Sequence, residues 1–172
     1  GIRDLLIVGL TTGLRLKDAC LLKWKHVDKK FIDLTPSKTK KTSMKEARIP
    51  ISATLAGILA ERKKAKKPED EYVIPEIARH YLRNPDYMSK KTKKVFEDVF
   101  GKDATVVGAG VHRNRTTSVC SFHSFRTTLT SLLLGKRVEP RDAKRILAWK
   151  SDKTMKEYER ELVKAQGEAD AR

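Results

Sequence analysis

Breaking a phosphodiester without a metal requires a nucleophile, cations that neutralise the phosphoryl oxygens, and an acid for the departing 5′ oxygen. The sequence offers candidates for each: Arg15, Lys38, His123, Arg126, Trp149 and Tyr158, in that order along 172 residues. Singly, each has an ordinary structural reading. Arg15, in T-T-G-L-R-L-K-D, follows a turn and has Asp18 three residues on as a local ion-pair partner. Lys38, in S-K-T-K-K, suits a solvated loop. His123 and Arg126 form H-x-x-R, one helical turn apart on one face, a pattern that also describes a capping or core-edge histidine beside a surface arginine. Trp149, in I-L-A-W-K-S, suits a core, and Tyr158 shares a helical stripe with Met155, Leu162 and Ala165, as a packed tyrosine does. Only the order and spacing of the whole set single it out.

Hydrophobic periodicity describes the elements that must position these groups. Residues 2–10 are apolar at most positions and predict a buried helix, broken at Thr11-Thr12-Gly13 with Gly13 as its C-cap. A second helix over about 14–23 carries Arg15 near its start. Phe31, Ile32 and Leu34 predict one strand and residues 47–51 another. The lysine-rich connection 36–46 carries Lys38, and Pro50 marks a strand end or edge. Ser52 caps a predicted helix over 53–66, whose tail from Arg62 to Lys67 is basic. A short helix spans 75–83, and another opens at Ser89 with Val95, Phe96, Val99 and Phe100 as its apolar stripe and Gly101 at its end. Residues 102–119 lack a period and read as a surface loop with a basic cluster at His112, Arg113 and Arg115. Helices over 122–134, 140–149 and 152–165 complete the chain, Pro140 being a first helical residue. The predicted fold class is mainly α (α+β): a helical domain with one small antiparallel β-hairpin. No repeat, low-complexity tract or linker divides it.

Composition bounds the partner. Hydrophobic residues make up 39% of the chain, enough for one globular core and above the disordered range. No apolar run is long enough to cross a bilayer, and no charged-then-apolar leader opens the chain, so neither a membrane nor a secretory route is expected. Cys20 and Cys120 show no paired spacing and read as free thiols of a reducing compartment, and with the four histidines scattered no metal site is expected. Lys plus Arg total 38 against 22 Asp plus Glu, a net charge of +16. A polyanion relieves that self-repulsion, and nucleic acid is the default candidate. The excess is uneven: residues 38–67 hold ten basic residues against two acids, whereas 150–172 hold six of each.

With motifs and elements side by side, the chain resembles the catalytic domain of the tyrosine recombinases, the phage-type integrases, over almost its whole length. T-G-L-R-L-K-D is similar to the family's first arginine box, with Arg15 at the arginine and Asp18 at the acidic position. Lys38 falls at the hairpin lysine. F-H-S-F-R-T-T resembles the second box, giving His123 and Arg126. L-A-W-K-S-D-K-T-M-K-E-Y resembles the ending L-G-H-S-S-x-x-T-x-x-Y, giving Trp149 and Tyr158. Trp149 replaces the more usual His, Ala148 a usual Gly, and Thr127 stands where many members have another His.

The resemblance implies cleavage and rejoining of double-stranded DNA. Tyr158 is the expected nucleophile, forming a 3′-phosphotyrosyl link that conserves bond energy. Arg15 and Arg126 would clamp the non-bridging oxygens, Lys38 would protonate the leaving oxygen, His123 would assist proton transfer, Trp149 would donate and pack, and Asp18 would orient the basic groups. Lys40, Lys41, Arg113 and Arg115 are further expected DNA contacts. No cofactor is implied, magnesium included. Residues 1–172 read as a single catalytic domain, a fragment without the N-terminal core-binding domain, which self-associates as a tetrameric synapse on DNA. A cytoplasmic location, in a prokaryote or a viral element, goes with this reading. Two rivals remain: a type IB topoisomerase, and a non-catalytic basic DNA-binding module of the same fold.

Overall fold

The computed structural model describes residues 1–38, 46–102 and 120–149, together with Lys156 and Arg160. Helix α1, Ile2–Thr12, runs apolar through its middle, and Leu5 and Val8 lose all contact with solvent. It stops where expected, at Gly13, whose φ of 62° lets its N–H close on the Gly9 carbonyl. Helix α2 is shorter than the sequence suggests, Leu16–Cys20, because the chain turns at Leu21 and makes one 3₁₀ turn at Trp24–His26.

Strands β1, Phe31–Leu34, and β2, Ala47–Pro50, form an antiparallel pair. Their register follows from the period of two: Ile32 faces Ile49 and Leu34 faces Ala47 in the core, while Asp33 faces Arg48 outside. Pro50 ends its strand, as a residue without a donor must. Helix α3, Ala53–Lys64, starts on the Ser52 hydroxyl, which accepts from the Leu55 N–H. Its tail is not uniformly solvated. Arg62 turns inward and binds Asp4 of α1 and Glu76 of α4, Pro75–Arg83, so one guanidinium ties three helices.

Helix α5, Pro85–Phe100, begins four residues before the expected Ser89. The Asn84 side chain accepts from the N–H groups of Asp86 and Tyr87, and Pro85 takes the first helical position, a stronger start signal than a serine alone. Its buried face is Met88, Thr92 and Phe96. Val99 and Phe100 of the expected stripe are 67% and 62% exposed instead, and Val95 is half-buried. Helix α6, Ser124–Gly135, starts two residues later than expected, since Phe122 belongs to the preceding turn. Helix α7, Pro140–Leu147, ends two residues early, at Ala148 in the left-handed conformation.

The core lies between α1, which packs on α2, α3 and α6, and the hairpin, which packs on α7 through β2. The mainly helical class with one two-stranded sheet is thus as the sequence predicts. Among the described residues no helix is long and apolar enough to cross a membrane. All of the expected loop at 102–119 beyond Lys102, and most of the expected last helix, lie outside the described residues, although Lys156 and Arg160 are helical.

Candidate active site

Arg126 is the fixed point of the site. It is only 5% exposed, on the first turn of α6, and its two terminal nitrogens donate to backbone carbonyls from distant parts of the chain. Nη1 reaches the Gly13 carbonyl at 3.0 Å, and Nη2 reaches the Leu147 carbonyl. A guanidinium presents its donors in a rigid plane, so two carbonyls at opposite ends set that plane. The surface arginine that H-x-x-R allows is therefore excluded here.

Close packing of α6 on α1 makes the reach to Gly13 short. A Cβ on Gly9 would lie 2.4 Å from the Phe122 ring, and one on Gly13 would lie 2.9 Å from Leu129. A methyl at either position would force these side chains to shift. The two glycines stand four apart on one face of α1, a signal readable in the sequence but read there for Gly13 only as a helix stop. The Leu147 carbonyl is offered because α7 ends there, with Ala148 at φ 47° and ψ 47° turning the chain away.

His123 immediately precedes α6. Its N–H donates to the Ser121 hydroxyl at 3.3 Å, and its carbonyl accepts from the N–H groups of Arg126 and Thr127. The Ser121 N–H in turn donates to the Ser124 hydroxyl at 3.0 Å, closing the turn. The imidazole still reaches solvent, yet partial burial lowers its pKa, and the positive charges of Arg126, Arg15 and Lys38 lower it further. Three cations far apart in sequence therefore act on one ring. They are the three cations singled out from the sequence, and their charge adds to the effect of burial on this ring.

Arg15 and Lys38 arrive by different routes. Arg15 is the N-cap residue of α2, in extended backbone directly after the Gly13 turn. Lys38 is exposed, just beyond β1. Asp18 fixes that region, but not as the ion-pair partner of Arg15 that local spacing allows: its Oδ1 accepts from the Ser37 N–H at 2.9 Å, one residue before Lys38. Its Oδ2 is buried without a hydrogen-bond partner.

Trp149 is 7% exposed and packs with Leu147, Leu129, Leu133 and Leu134 between α6 and α7. Tyr158, Lys40, Lys41, Arg113 and Arg115 lie outside the described residues. Among the described residues no group of three His, Cys, Asp or Glu side chains is placed to hold a metal ion. Cys20 is buried, and burial pushes its thiol up to about 12. Cys120 is half-buried.

The phage integrase family matches residues 2–164 of the chain. No curated protein matches it. Two solved structures are similar in fold. One is a lambda integrase (75–356) dimer bound to a COC′ core site, with a TM-score of 0.51 and 17% identity, covering 91% of this chain and 51% of that one. The other is the Tn1549 transposon integrase (82–397) in complex with circular intermediate DNA, with a TM-score of 0.51 and 15% identity, covering 90% of this chain and 52% of that one. The chain therefore spans about half the length of either structure.

Proposed function

Because the chain belongs to the phage integrase family, we propose that residues 1–172 act as a catalytic domain that cuts and rejoins double-stranded DNA through a phosphotyrosyl intermediate. The observation that carries this reading is the buried Arg126, three residues after His123, with its guanidinium held by the Gly13 and Leu147 carbonyls in a chain whose family match spans residues 2–164. Both similar structures contain DNA, and the net charge of +16 suits the same partner. The lambda integrase structure is a dimer, in keeping with a reaction in which copies assemble on DNA, for which we propose a tetrameric synapse. A cytoplasmic location follows from the same reading and agrees with the free Cys20.

In the proposed reaction the Tyr158 hydroxyl attacks the scissile phosphorus. The bond from its oxygen to phosphorus forms as the bond to the 5′ oxygen breaks. His123, kept neutral by burial and by the surrounding cations, accepts the tyrosyl proton. The ammonium of Lys38 protonates the 5′ oxygen. Arg126, its plane set by the Gly13 and Leu147 carbonyls, and Arg15 donate to the non-bridging oxygens as charge builds on them. Trp149, packed among Leu129, Leu133 and Leu134, donates its indole N–H. Asp18 positions Lys38 through Ser37. A free 5′ hydroxyl reverses the steps and reseals the strand, so the reaction needs no ATP.

The test is strand transfer. A pooled library of nicked duplexes, incubated with the chain, EDTA and a 5′-hydroxyl acceptor strand without ATP, should yield joined strands whose sequences share a core. A product that forms only with ATP, or no product from any member of the pool, contradicts the proposal.

A further inference from the structure

Helix α7 carries a basic face that no role proposed above uses. Arg141, Lys144 and Arg145 stand three and four residues apart on its outer side, opposite the buried Ala143 and Leu147. With Trp149, Ala148, Pro140 and Glu46 they line an open groove of about 430 Å³ between α7 and the approach to β2. The groove begins where the proposed active site ends: Leu147, whose carbonyl fixes Arg126, precedes the Ala148 and Trp149 of its wall.

Helix stability explains only part of this charge. Lys144 and Arg145 lie in the last turn, where cations offset the negative end of the helix dipole. Arg141 does not. It lies in the first turn, where a positive charge is unfavourable by a few tenths of a kcal/mol. Among the described residues neither Arg141 nor Arg145 forms an ion pair, and both are exposed. Unlike Arg62, which is held inward by two carboxylates, these guanidinium groups are presented outward on a rigid element.

We propose that this groove holds a DNA backbone phosphate flanking the one that is cleaved, with Arg141 and Arg145 as its main ligands and Lys144 beside them. The inference rests on the proposed recombinase reading and adds to it a second phosphate site and the residues that form it. Glu46, on the opposite wall, opposes the same anion. The site therefore makes predictions of both signs: removing the arginines weakens DNA binding, and neutralising Glu46 strengthens it.

Binding of the 172-residue chain to a fluorescent duplex of random sequence, about 30 base pairs long, tests this by anisotropy across a salt series. Arg141→Gln with Arg145→Gln should lower affinity about tenfold or more at low salt and flatten the plot of log K against log salt by about 1 to 2, near one per lost phosphate contact. Glu46→Gln should tighten binding. Both arginines are exposed, so the double variant keeps its core, which its melting temperature verifies. A charge-matched control, Lys90→Gln with Lys91→Gln on α5, should change affinity less. If the double variant binds with the affinity and slope of the parent, or no worse than the control, the groove is not a phosphate site. The recombinase reading survives that result provided the parent binds DNA and forms joined strands. If the parent does neither, both ideas fall together.

Discussion

At the scale of single residues, the proposed site is built on two groups whose surroundings differ sharply. Arg126 is buried and gripped by carbonyls, while His123, three residues earlier, is partly exposed and under the influence of three cations. Their types and spacing are legible in H-S-F-R, but their burial is not. The reach from Arg126 to Gly13 spans 113 positions and depends on how closely two helices approach, which no local pattern states. The imidazole leads to a signed prediction. Burial and then the charges of Arg126, Arg15 and Lys38 depress its pKa, so the folded chain disfavours the imidazolium. The unfolded state then binds more protons below its own value of about 6.5, and stability falls as pH drops from there toward the folded value. An NMR titration of the free chain should place the His123 midpoint below 6.5, and Lys38→Gln should move it upward. A midpoint at or above the value of an unstructured histidine would show that the cations do not converge.

At the scale of elements, the stops matter more than the bodies. Most helices and both strands follow from apolar period, Ser52 and Pro140 included, and the turn at Gly13 was legible as a C-cap. Three departures have identifiable physical causes. Helix α5 starts early because Asn84 caps it, α2 ends early because a 3₁₀ turn follows, and α7 ends early because Ala148 turns left-handed. Alanine at φ 47° carries strain of about 1–2 kcal/mol that glycine avoids, though glycine costs more entropy to order. Ala148→Gly should therefore stabilise the chain by about 0.5–1 kcal/mol, raising the melting temperature by roughly 1–4 °C. Gly13→Ala should do the reverse by about 1–3 kcal/mol, since its φ is also positive and its methyl would crowd Leu129 and Leu147. Thermal melts of the two variants decide this, and equal melting temperatures would mean the two stops are not strained as described.

At the scale of the whole molecule, one guanidinium joins three helices that also share the hydrophobic core. Arg62 bonds to Asp4 and Glu76 with its side chain 20% exposed and that of Asp4 14%. Glu76 is pushed up by burial, but its own backbone N–H and Arg62 outweigh this and hold it below the usual carboxylate range. Its contribution is thus present at neutral pH and lost as pH falls through its lowered value. In the sequence Arg62 was one cation in a basic run, because nothing local distinguishes an arginine that turns inward from those that do not. Arg62→Met should cost about 1–3 kcal/mol, the partly exposed Glu76 screening the loss, and lower the melting temperature by several degrees at pH 7. The deficit should shrink in acid, where Glu76 is protonated in both proteins. A deficit that stays constant down to pH 3 would separate the helices' stability from this contact.

In the proposed reaction Arg15, Lys38, His123 and Arg126 form one centre serving the hydroxyl of Tyr158. The most direct measurement is the identity of the residue that becomes attached to DNA. Nicked duplexes from the strand-transfer pool trap the intermediate by losing the leaving strand, and digestion followed by mass spectrometry locates the link. A nucleotide-bearing peptide containing Tyr158 is expected with the parent chain, formed about 10² to 10³-fold more slowly with Arg126→Ala, and absent with Tyr158→Phe. An adduct that persists undiminished in Tyr158→Phe, or that maps to another side chain, would contradict it.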